Sequence, residues 1–150
     1  MRSGVNVASS FRSMRENLIF EGIPQGQTEN AGTVENVVRS FMIDTMKIPQ
    51  ERVDNISIDR IHRFSQSYRG KPRRIVAKFT HYKDKEEVCS FAKNLKDSEF
   101  FVYDQYPPEI QEQRRRLVQI MKEKKRQDPS ARVKLVYNKL YVNGTLMNPT

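Results

Sequence analysis

From Asn17 to Tyr103 six hydrophobic segments follow one another, and the order of their periods limits the folds open to this chain. Asn17-Leu-Ile-Phe-Glu-Gly-Ile-Pro24 is a short apolar run closed by Gly22 and Pro24, the pattern of a strand entering a turn. After a polar loop from Gln25 to Gly32, Thr33 is placed to cap a helix. Its apolar positions Val34, Val37, Val38, Phe41, Met42 and Thr45 fall at helical spacing, and Pro49 ends it. Val53 to His62 reads as a second strand, with Ile56 and Ile58 alternating, and Ser65 to Pro72 as a loop. Arg73 to Thr80 is a third strand, with Ile75, Ala77 and Phe79 on one face and Arg74, Val76, Lys78 and Thr80 on the other. Asp84 and Glu87 have capping-box spacing ahead of a helix with apolar face Val88, Phe91, Ala92 and Leu95, and Phe100 to Tyr103 is a fourth strand. The order β-α-β-β-α-β predicts an α+β fold. It is the split βαβ (ferredoxin-like) sheet, with both helices on one face and the other face open.

Pro107-Pro108 marks a boundary. Beyond it residues 109–127 read as a charged helix with Ile110, Leu117, Ile120 and Met121 on one side, broken by Asp128-Pro129. Val133 to Tyr137 and Leu140 to Val142 read as a β-hairpin, with Asn143-Gly144 as a further turn signal. Three segments are therefore expected: a leader or coiled-coil remnant at 1–15, a split βαβ domain at 16–106, and a small basic helix-plus-hairpin domain at 107–150.

The charge is as one-sided as the pattern is regular. Between Arg60 and Lys83 the chain carries Arg60, Arg63, Arg69, Lys71, Arg73, Arg74, Lys78 and Lys83 and no Asp or Glu. Residues 109–150 hold ten Lys/Arg against four Asp/Glu, so they supply most of the net charge of +9. Surfaces normally mix signs, because an unbalanced patch repels itself. Two basic regions, one central and one C-terminal, point to a polyanion, with a nucleic-acid backbone as the leading candidate.

Other functions find less support. The lone Cys89 excludes an internal disulfide and any Cys-based zinc site, and its apolar helical setting reads as a small buried hydrophobe. His62 and His81 have no clustered second ligand, so no metal site or cofactor is expected, and His62 reads as part of the basic face. No phosphate-cradling Gly-rich loop or nucleophile elbow is present, so no catalytic residues are assigned. No apolar run is long enough to span a membrane and no signal-peptide core is evident, which implies an intracellular protein without a membrane partner.

If Ile75, Ala77 and Phe79 face the helices, Arg74 and Lys78 stand on the open face beside the basic loop, where they could fork onto phosphates or, for Arg74, stack on unpaired bases. The competing reading is a solvated strand with incidental charge. On the C-terminal helix Arg114 projects from the apolar side, while Arg115, Lys122 and Arg126 lie outward and Lys124 and Lys125 read as solvated. Tyr137 and Tyr141 could stack on bases, although packing is the simpler role.

A split βαβ sheet for RNA suggests an RNA-recognition motif, yet the third-strand positions that usually carry stacking aromatics are Arg74, Val76 and Lys78. Charge should therefore lead binding, with weak sequence preference. The segments Asn17-Leu-Ile-Phe-Glu-Gly-Ile-Pro24, Arg60-Ile-His-Arg63, Pro72-Arg-Arg-Ile-Val-Ala-Lys-Phe79, Lys83-Asp-Lys-Glu86 and the Arg114-Arg-Arg116 helix leading to Lys139-Leu-Tyr-Val-Asn-Gly144 have a familiar order and spacing. Together they resemble the RNA-binding protein encoded by the first open reading frame of LINE-type (non-LTR) retrotransposons, over roughly residues 15 to 144.

That resemblance implies an atypical RNA-recognition-motif domain followed by a smaller C-terminal domain, with single-stranded nucleic acid in a basic cleft between them. It implies a non-enzymatic nucleic-acid chaperone that coats its element's RNA in a cytoplasmic ribonucleoprotein, with the nucleus as a second location and single-stranded DNA as a second ligand. The matching contact positions are Arg60, Arg63, Arg73, Arg74, Lys78, Arg114 and Arg115, with Tyr137 and Lys139 added. Family members often trimerise through a coiled coil, of which Phe11, Met14 and Leu18 here form at most a remnant, so a homotrimer would need a coiled coil this chain lacks. The alternative function is a non-catalytic protein-interaction adaptor with its basic face on an acidic partner.

Overall fold

The computed structural model of the chain describes residues 14–67 and 69–147, so Phe11 and most of the expected leader lie outside it. The chain divides into two compact units, Ser13–Gln105 and a second built from Tyr106 onward.

The first unit contains β1 (Asn17–Glu21), α1 (Ala31–Asp44), α2 (Gln50–Asp54), β2 (Ile58–Arg63), β3 (Ile75–Phe79), α3 (Tyr82–Ser90) with a 3-10 turn at Phe91–Leu95, and β4 (Phe101–Asp104). The strands form one antiparallel sheet in the order β2-β3-β1-β4. Its helix-covered face buries Leu18, Phe20, Ile61, Ile75, Ala77, Phe79 and Val102 together with Val38, Met42, Val53 and Val88. Fully burying a side chain such as Phe79 is worth about 1.5–3 kcal/mol, so this face holds the unit together.

Several element boundaries differ from the sequence expectation, two of them because of a polar side chain that the hydrophobic pattern does not register. α1 starts earlier than Thr33: Asn30 is the N-cap and Thr33 completes a capping box with it. Val53 and Asp54, expected to open the second strand, belong instead to α2. Pro49 accepts from the amides of Arg52 and Val53, and the Arg39 guanidinium binds the carbonyls of Val53 (2.7 Å) and Ile56 (2.8 Å). α3 starts at Tyr82 behind His81, whose side chain makes no capping bond. The carboxylates of Asp84 and Glu87, expected to form a capping box, instead bind Arg52 from α2.

At the end of β1, Gly22 adopts φ +100°, and a Cβ there would lie 2.6 Å from the Glu99 carbonyl oxygen. Only glycine allows β1 to leave the sheet so close to that backbone.

In the second unit, α4 (Pro108–Gln127) starts with proline at its first position and ends at Asp128. It packs along an antiparallel sheet of β5 (Val133–Val136), β6 (Lys139–Val142) and β7 (Thr145–Met147). The expected hairpin is present, and Asn143 (φ +51°) and Gly144 (φ +84°) turn the chain into a third strand that the sequence reading did not assign. Among its described residues Pro107, Ile110, Leu117, Ala131 and Leu140 are buried, a much smaller core than that of the first unit.

Candidate nucleic-acid interface

Strand parity sorts the basic residues of the first unit. Ile61 and Arg63 on β2 pair with Ala77 and Ile75, which face the core, whereas Arg60 and His62 pair with Lys78 and Val76 on the open face. Across that face two rungs run through the register: Arg60–Lys78–Asn17, and His62–Val76–Ile19–Tyr103. They border a hollow of about 160 Å³ lined by Asn17, Arg60, His62, Phe64, Val76, Lys78 and Gln105.

Asn17 donates from its Nδ2 to Gln105 Oε1 (2.8 Å). Its buried Oδ1 has no hydrogen-bond partner among the described residues. Phe64 supplies an aromatic surface beside β3, with the Arg74 guanidinium 4.9 Å from its ring centroid.

The acid-free window is acid-free only along the chain, because carboxylates reach it from elsewhere. Glu16 lies 3.3 Å from Lys78, with both side chains about a quarter exposed, and Glu21 lies 3.3 Å from Lys71. Tyr103 donates to Glu21 Oε1 (2.8 Å) and receives a bond from Arg74 Nη1 (3.2 Å). Burial, together with the neighbouring Glu21, pushes the Tyr103 hydroxyl up to about 12 against the opposing pull of Arg74. At neutral pH it is therefore a neutral donor that orients Glu21. Arg60, by contrast, is exposed and makes no ion pair among the described residues.

Arg63 departs from the role expected for it. Its side chain is 3% exposed and all five N–H groups are used: Nε and Nη2 on Glu29 (2.6 and 3.0 Å), Nη1 on the carbonyls of Ile23 and Arg73, and Nη2 also on that of Pro24. No donor is left for a phosphate. Arg63 staples the loop after β1 to the chain before β3, and its hydrogen bonds hold the Glu29 carboxyl below the usual carboxylate range. Arg73 is partly committed in the same region, to Gln25 Oε1 (3.1 Å) and the Phe64 carbonyl (3.2 Å). The signal was available in sequence: with Ile61 inward, Arg63 has the same parity.

In the second unit the basic residues divide again. Arg114 donates to the Tyr137 carbonyl (2.5 Å) and stacks over the Tyr106 ring at 4.3 Å, and the Tyr106 and Tyr137 rings are 5.9 Å apart. These contacts hold Tyr137 at φ +54°, an unusual backbone conformation for a bulky residue. Arg114 and Tyr137 thus build the hairpin. Arg115 is 66% exposed and pairs with Glu112 one turn away, and Lys139 is exposed on β6.

Sequence reasoning missed Asn17, Phe64 and Gln105, which lie at strand ends where no charge or periodicity marks them. Cys89, expected to be buried, is only partly buried against the core, and burial pushes its thiol up to about 11. Among the described residues no group of three His, Cys, Asp or Glu could hold a metal ion, and no helix is long and apolar enough to cross a membrane.

A four-stranded antiparallel sheet with helices on one face and cations and aromatics on the other is compatible with an RNA-binding-domain-like α+β fold. The family model of the L1 transposable element RBD-like domain matches residues 15–98, and the chain belongs to that family. It is thereby a nucleic-acid-binding protein of LINE-type retrotransposons, and no curated protein matches it.

Proposed function

We propose that the chain binds single-stranded RNA with little sequence preference and acts as a nucleic-acid chaperone within a retrotransposon ribonucleoprotein. The observation that carries the reading is the hollow on the sheet face away from the helices, where exposed Arg60 and half-buried Lys78 flank Asn17, whose Oδ1 has no partner among the described residues, and the Phe64 ring. Cations can neutralise the backbone while the hollow admits an unstacked base or a ribose, which a duplex does not offer. The strand order β2-β3-β1-β4 supports reading residues 16–106 as a ferredoxin-like, RNA-recognition-motif domain with atypical aromatic placement. The break between the two units at Gln105 and Tyr106 supports 107–150 as a separate basic domain.

In this reading Arg60, Arg74, Lys78, Arg115 and Lys139 contact the strand, Arg73 borders the path, and Arg63, Arg114 and Tyr137 shape it. Chaperone action follows from charge: neutralised phosphates let complementary strands approach, and modest affinity per contact lets them exchange. The protein binds rather than catalyses, and works where its RNA is, in the cytoplasm or nucleus.

Fluorescence anisotropy with a single-stranded RNA of about 30 nucleotides, competed with duplex DNA across a salt series, tests this. Preference for the single strand with a steep log–log salt slope is expected. Weak binding that treats both ligands alike would leave only a basic surface and favour the adaptor role.

A further inference from the structure

The outer face of the C-terminal sheet carries a feature that the reading above leaves unused. Cross-strand register places Lys134, Tyr141 and Leu146 in one row, with Val136 on the same face of β5. The adjacent row, Leu135–Leu140–Met147, points the other way, and Leu140 at its centre is buried under α4. The Tyr141 row therefore faces away from the helix. Val136 is 44% and Leu146 49% exposed, large for apolar side chains, and a hollow of about 520 Å³ opens here, lined by Arg132, Lys134, Val136 and Tyr141 among others.

An exposed apolar strip with a polar rim is the usual mark of an interaction surface. The rim says what it meets. Arg132, Lys134 and Lys139 are all exposed, and residues 129–150 contain no Asp or Glu. A tyrosine between aliphatic walls, ringed by cations that make no ion pair among the described residues, matches a base on its π-face and the flanking phosphates on the rim. Tyr137, the other hairpin tyrosine, is committed to the Tyr106 ring and is not equivalent.

We propose that this face is a second stacking platform, on which Tyr141 takes one unpaired base of a single-stranded nucleic acid while Arg132, Lys134 and Lys139 hold its phosphates. The proposal rests on the nucleic-acid reading of the chain and adds to it a second site that takes a base.

The test compares the whole chain with its Tyr141→Leu variant, which keeps an apolar side chain in the row. Each is titrated with a single strand of about 30 nucleotides and with an abasic strand of the same number of phosphates. The parent is expected to prefer the base-bearing strand. Tyr141→Leu is expected to lose about tenfold on that strand and nothing on the abasic one, with an unchanged melting curve. Lys134→Glu should weaken both. If Tyr141→Leu binds both strands like the parent, the platform is wrong, the sheet-face reading stands, and the strip is left to a protein partner. If the parent binds neither strand, the nucleic-acid reading itself fails and this one with it. Should Tyr141→Leu not fold, photocrosslinking of the parent to a 5-iodouridine strand decides: adduct on Tyr141 supports the platform, and adducts confined to the first unit overturn it.

Discussion

The two units are both rich in cations but hold them in opposite ways. In the first, cations are fastened by partners far along the chain: Arg63 by Glu29, Lys71 by Glu21, Lys78 by Glu16, and Arg74 by Tyr103. In the second, the helix cations pair with glutamates one turn away, Arg115 and Arg116 with Glu112 and Arg126 with Glu123, at 66–74% exposure. Long-range pairs fix a side chain's direction and are little screened where buried; exposed helical pairs are worth a few tenths of a kcal/mol and shift easily. The first arrangement can place a group against a particular atom of a ligand. The second offers charge that follows wherever a phosphate lies.

The sharpest way to break that contrast is to exchange the roles of two arginines. Arg63→Ala removes one partner of a buried pair and strands Glu29, so a loss of about 3–5 kcal/mol in folding stability is expected from chemical denaturation, with RNA binding lost only as far as the fold is lost. Arg115→Ala should leave the melting curve unchanged. A mild Arg63→Ala, or a destabilising Arg115→Ala, would erase the distinction. The same pair makes the first unit acid-sensitive. The folded-state pKa of Glu29 lies below its ordinary 4.5, so its contribution is fully present above that value and is lost as pH falls through the lowered one. Glu29→Gln should be less stable at pH 7 yet show a shallower loss in that acid range than the parent.

The alternation of periods made the element order of the first unit legible, and the parity of β3 correctly separated Ile75, Ala77 and Phe79 from Arg74, Val76 and Lys78. Polar contacts between distant residues were not legible. Parity with Ile61 marks Arg63 as inward, but nothing local to it announces Glu29, 34 residues earlier, so its partner was not legible. Nor does anything local to Asp84 and Glu87 announce Arg52, which takes both carboxylates. The hollow on the open face was hidden for a different reason. Asn17, Phe64 and Gln105 come from three separate segments and become a site only through sheet register.

On the open face Arg60→Ala and Lys78→Ala should each weaken single-strand binding by about five- to tenfold and lower the salt slope by about 0.7 per lost phosphate contact, with stability nearly unchanged. Asn17→Ala tests the other half of that site. It removes the unpaired acceptor without removing charge, so affinity should fall while the salt slope holds. A slope that falls with Asn17→Ala would mean the hollow is only a gap between phosphate contacts.

On α4, Arg115→Ala should cost only a few-fold in affinity but carry its full share of the salt slope. The smallest change expected is also the one that most directly probes loosely held charge. Glu112 is the carboxylate partner of both Arg115 and Arg116, so Glu112→Gln should tighten RNA binding by about twofold at low salt, the scale of one exposed ion pair, and lose that gain as salt screens it. The equivalent release in the first unit, Glu16→Gln beside Lys78, should behave differently. Lys78 is directed by that pair toward the Asn17 rung, so removing Glu16 adds net positive charge but loosens the side chain, and the two effects oppose each other. If Glu16→Gln tightens binding as much as Glu112→Gln does, the long-range pairs of the first unit position nothing, and its cations are no better organised than those of the helix.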